Sequence, residues 1–66
     1  MDLVLNGELR TTPEFQTLDQ LASWLELPSF GCAIELNGEV IRKRDYPQTP
    51  LAPGDRLEIV KLVGGG

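Results

Sequence analysis

From the first residue, Met1, Leu3 and Leu5 fall on one side of an alternating pattern, with Asp2 and Val4 between them. Asn6-Gly7 and then Glu8-Leu9-Arg10-Thr11 follow. A two-residue hairpin loop needs positive φ at both central residues, and Asn-Gly meets that need best. Strands are therefore predicted over 1–5 and 8–12. Further on, Leu18, Leu21, Ala22 and Leu25 recur at i, i+3, i+4 and i+7, which places them on one helical face. Thr17 stands before this stripe as a candidate N-cap, and Gln20 three residues later completes a capping box. Pro28 disfavours helical geometry at Leu27, so the helix should stop near Glu26. Trp24 falls off the stripe, either closing one end of the core or remaining partly exposed.

After the Ser29-Phe30-Gly31 loop, Cys32, Ile34 and Leu36 face one way along a predicted strand over 32–36. Asn37-Gly38 is a second hairpin signal and leads into Glu39-Val40-Ile41. Positions 42–50 are polar, contain Pro47 and Pro50, and read as an irregular crossover. Pro53-Gly54-Asp55 is a tight turn. Leu57 and Ile59 then point inward from a last strand over 56–60. Lys61-Leu62-Val63 leads out to Gly64-Gly65-Gly66.

The order is β-β-α-β-(short β)-β. A lone helix between two hairpin-like segments must cover one face of the sheet they form. The expected fold is α+β and resembles the ubiquitin-like β-grasp, a mixed sheet of four to five strands packed on one main helix. Its domain should span 1–61, with 62–66 a flexible C-terminal tail. That fold implies a final strand parallel to the first at the sheet centre.

At 66 residues the chain supports one thin core. One cysteine and no histidine exclude an internal disulfide, a zinc site and an iron–sulfur cluster. Stability must come from apolar packing, for which the 41% apolar content suffices. No run approaches the ~20 apolar residues of a membrane span, and no basic leader precedes one. With a free thiol, this points to the cytoplasm. A formal net charge of -4 disfavours nucleic acid and anionic membranes as partners.

Three closing glycines add nothing to a core and lose the most entropy on ordering. One reading is a disordered end without a role. The other is a tail gripped from all sides in a narrow channel of a partner. Three extended glycines carry a terminal carboxylate ~10 Å past Val63.

The segments Glu35-Leu36-Asn37-Gly38-Glu39-Val40-Ile41 and Thr49-Pro50-Leu51-Ala52-Pro53-Gly54-Asp55-Arg56-Leu57-Glu58-Ile59-Val60 resemble the sulfur-carrier family of thiamine biosynthesis, the ThiS family. So do the opening Leu5-Asn6-Gly7-Glu8 and the ending Val63-Gly64-Gly65-Gly66. The resemblance covers nearly the whole chain. Members often end in two glycines where this chain has three.

The resemblance implies that the Gly66 carboxylate is adenylated by an E1-like adenylyltransferase using ATP and Mg. A persulfide sulfur attacks the acyl-adenylate, and reductive release leaves a thiocarboxylate. A cysteine desulfurase or persulfide carrier would be the sulfur donor, and a thiazole synthase the recipient. Gly64 and Gly65 would thread into the partner's active site. The chain would bind no cofactor and would be a co-substrate, not an enzyme. Leu62 and Val63 either dock on the partners or pack against the end of the sheet. Related readings are a carrier for molybdopterin, a tRNA base or an amino acid, and a ubiquitin-like modifier conjugated to lysines. A plain β-grasp binding module is the alternative of another class.

Other polar groups read as structural. Cys32 is a small apolar strand residue, with a sulfur acceptor or transient disulfide as the alternative. Arg42-Lys43-Arg44 is a solvated charge run, with a phosphate site as its alternative. Glu35, Glu39, Asp55 and Glu58 form no evident acid/base pair, and any role is electrostatic complementarity with a basic partner.

Overall fold

A computed structural model describes residues 1–28 and 30–61. Its elements are β1 (Asp2–Leu5), β2 (Glu8–Thr11), α1 (Leu18–Trp24), β3 (Cys32–Leu36), β4 (Glu39–Ile41), a 3-10 helix (Lys43–Gln48) and β5 (Arg56–Lys61). The five strands form one sheet in the order β2-β1-β5-β3-β4. β1 and β5 run parallel, with Val4 beside Arg56 and Leu5 beside Leu57. The other pairs are antiparallel. This is the expected β-grasp sheet, with the last strand at its centre.

Both hairpins turn as their sequences require. Asn6 and Gly7 have φ of 51° and 81°, and Asn37 and Gly38 have 52° and 89°. Positive φ at both positions matches the right-handed twist of the flanking strands. Alternation then fixes the faces. Leu3, Leu5, Ile34 and Leu57 point at the helix and are buried. Leu18 and Leu21 meet them from α1, completely buried. Met1, Ala22, Leu25, Leu36 and Ile59 pack partly buried around this cluster.

Three local expectations need correction. The capping box does not form: the Thr17 hydroxyl donates to the Asp19 carboxylate, and Gln20 Oε1 accepts from the Gln16 amide at 2.7 Å. Thr17 is extended and forms a bridge with Pro50. The Leu18 amide donates to the Thr49 carbonyl at 2.9 Å, so the crossover satisfies one orphan donor of the helix.

The helix stops near Glu26, as expected, with Leu25 as its C-cap. Glu26 adopts a left-handed φ of 56°. Its amide donates to the Ser23 carbonyl, and the Leu27 amide donates to the Ala22 carbonyl. These two bonds are a Schellman closure, with glutamate where glycine is usual.

The segment 42–50 is not irregular. It holds the 3-10 helix, whose Tyr46 joins the core at 7% exposure, as does Leu51 just beyond. β5 continues one residue further than predicted, through Lys61, which pairs with Cys32. Trp24 is 41% exposed, its ring centroid 5.7 Å from that of Phe15. It therefore flanks the core and does not close it.

Candidate functional site

The site is organised by where β5 carries the chain. Leu5 of β1 stands beside Leu57, so the later part of β5 runs past the end of β1. The Asn6 side chain still braces it, accepting from the Ile59 amide at 2.8 Å. At Lys61 the facing strand is β3, through Cys32. The central strand of the sheet thus delivers the chain to the end where β3 begins. Leu62, Val63, Gly64, Gly65 and Gly66, which carry the sequence prediction, lie outside the described residues.

Cys32 is half-buried. Its thiol donates to the Pro28 carbonyl across 3.8 Å, a long and weak contact. It borders a cleft of about 280 Å³ between α1 and the 3-10 helix, lined also by Ala22, Leu27, Pro28, Tyr46 and Pro47. Burial pushes the Tyr46 hydroxyl above its usual range, the neighbouring Cys32 adds to this, and a backbone hydrogen bond with Ile34 opposes it. Tyr46 escaped sequence reasoning, although a lone aromatic in a polar stretch was a signal of burial.

Glu35 and Glu58, which show no evident pairing in the sequence, stand directly opposite on the sheet face away from the helix. Val40 lies beside Glu35 there, 60% exposed. Arg42, Lys43 and Arg44 are exposed around the start of the 3-10 helix. Lys43 lines the cleft that Cys32 borders. Asp55 serves the turn before β5, its carboxylate accepting from the Ala52 amide and the Asn37 side chain.

The sequence pattern of the ThiS family matches residues 3–66. The chain belongs to the ThiS family. It is a ubiquitin-like sulfur carrier of thiamine biosynthesis, as the family and its solved structure together show. The crystal structure of the thiamine biosynthesis protein ThiS from Geobacter metallireducens superposes with a TM-score of 0.84 at 30% identity, covering all of both chains. The sulfur carrier protein ThiS of Thermus thermophilus is 37% identical over 94% of this chain and 95% of its own length. The whole chain is also 41% identical to part of a thiazole synthase from Paramagnetospirillum magneticum, and spans 20% of that protein. No helix among the described residues is long and apolar enough to cross a membrane.

Proposed function

We propose that the chain carries sulfur as a thiocarboxylate on Gly66 and delivers it to a thiazole synthase. A free carboxylate resists nucleophiles, so activation must come first. An E1-like adenylyltransferase joins the Gly66 carboxylate to AMP from ATP with Mg, releasing pyrophosphate. The terminal sulfur of a persulfide, supplied by a cysteine desulfurase or a persulfide carrier, then attacks the acyl carbon and AMP leaves. A thiol reduces the resulting acyl disulfide. The thiocarboxylate stays on Gly66, and the oxidised sulfurs leave as a disulfide.

In this scheme the β-grasp body performs no acid, base or metal chemistry. It holds the reacting group covalently and docks it, which replaces an encounter in solution by a tethered one. The residues Gly64 and Gly65 let the backbone pass through a channel with no room for side chains. Leu62 and Val63 dock against the partner at its mouth.

One observation carries this reading. The family match runs through Gly66. The similarity to one fifth of a thiazole synthase supports the choice of recipient, because a carrier region and a synthase that share a polypeptide meet at high effective concentration.

The test is intact-mass analysis after incubation with ATP, the adenylyltransferase and a sulfur donor. A gain equal to exchanging one oxygen for sulfur at Gly66 is expected. No gain, with no ATP-dependent pyrophosphate exchange, rejects the carrier chemistry.

A further inference from the structure

We infer that Asn6 is a positioning residue for the reaction at Gly66: its side chain takes the place of the missing end of β1 and holds the outgoing half of β5. This rests on the carrier reading above and names a residue of the body on which it depends. β1 ends at Leu5, beside Leu57. β5 continues through Glu58, Ile59 and Val60 to Lys61. On one flank these residues still face β3, from Glu35 to Cys32. On the other flank, among the described residues, no strand pairs with them.

The ladder shows what is missing there. The Val4 amide donates to the Asp55 carbonyl and the Asn6 amide to the Leu57 carbonyl, both at 2.9 Å. One step further along a parallel ladder, the Ile59 amide would bond the main-chain carbonyl of Asn6. The chain turns at that point, with Asn6 at a φ of 51°. The Asn6 side-chain oxygen accepts the Ile59 amide instead, at 2.8 Å. One residue thus turns β1 away and lengthens its ladder by one bond.

Asn37, at the corresponding place in the other turn, clamps the opposite end of β5. Its amide donates to the Arg56 carbonyl at 2.7 Å, and its side-chain oxygen accepts from the Arg56 amide at 3.0 Å. The two asparagines have almost the same φ, 51° and 52°. They differ in which half of β5 they hold: Asn37 the start, Asn6 the half that continues toward Gly66. A partner that engages the body and the reacting carboxylate together gains from both only when their relation is fixed beforehand. Loosening the outgoing half of β5 lowers the binding-competent fraction, and the apparent affinity falls in proportion. Asn6 takes no part in the chemistry itself.

The experiment measures ATP–pyrophosphate exchange by the adenylyltransferase against carrier concentration, and hydrogen exchange of the Ile59 amide by NMR. The chains compared are the unaltered one, Asn6→Gly, Asn6→Asp and Asn37→Gly. Glycine suits the positive φ of the turn and removes the acceptor. Aspartate keeps both the turn and an acceptor oxygen. Asn6→Gly should speed exchange of the Ile59 amide. It should also raise the half-saturating carrier concentration about fivefold, the scale of one net hydrogen bond, with the maximal rate unchanged. Asn6→Asp should restore both values. Asn37→Gly, the matched loss at the other end of the strand, should leave the half-saturating concentration as it was. If Asn6→Gly frees the Ile59 amide without raising that concentration, or if Asn37→Gly raises it equally, the bond is structural only and the inference is overturned. No pyrophosphate exchange with the unaltered chain would overturn the carrier reading itself, and this inference with it.

Discussion

The two faces of the sheet obey different rules. On the helix side, Leu3, Ile34 and Leu57 are at most 1% exposed and close on Leu18 and Leu21. On the other side the same strands present Val4, Arg56, Glu58, Glu35 and Val40, of which Val4 and Glu35 are half-buried and the others exposed, Val40 at 60%. Each strand contributes to both faces by alternation, so the contrast is written residue by residue. One face concentrates folding energy at about 2 kcal/mol per buried aliphatic side chain. The other carries a like-charge pair and an exposed valine, which a domain selected for stability alone would discard.

The contrast breaks most visibly from the covered side. Ile34→Ala should cost about 2–5 kcal/mol, because the cavity left under α1 cannot collapse. Urea unfolding should show a large drop in midpoint. Tyr46 extends the same face and adds a pH test. Its hydroxyl is held above the ordinary value of 10.0 when folded. The folded chain therefore keeps that proton where the unfolded chain releases it, and stability falls as pH climbs past 10. Tyr46→Phe should flatten this decline in melts between pH 9 and about 11.

Smaller effects sharpen the comparison. Glu26→Gly should stabilise by about 1 kcal/mol, because a left-handed φ penalises any residue with a Cβ. A raised thermal midpoint would show it. On the open face, Glu58→Gln removes one charge opposite Glu35. It should stabilise by a few tenths of a kcal/mol, and added salt should erase the gain. A Glu58→Gln variant less stable than the parent at low salt would contradict the like-charge account.

Most of the fold was legible in the sequence because its cues are local. Asn6-Gly7 and Asn37-Gly38 admit one turn geometry, and the strands between them alternate with period two. The helix stripe of Leu18, Leu21, Ala22 and Leu25 was equally plain. Features set by distant contacts were not legible. Tyr46 offers one local cue, an aromatic in a polar stretch, but its burial depends on the 3-10 helix packing against α1. The bridge between Thr17 and Pro50 overrides the capping box for the same reason. The pairing of Glu35 with Glu58 depends on a register known only once β5 inserts between β1 and β3. Of the candidate site, the residues were named from the sequence, while the fold added the direction in which β5 carries the chain.

The central place of β5 also has a mechanical meaning. Tension applied beyond Lys61 acts along the strand axis, across the ladders to β1 and β3. Bonds loaded crosswise share the force and must yield together, whereas a strand peeled from an edge surrenders them singly. A partner can therefore tug on this chain without unravelling it.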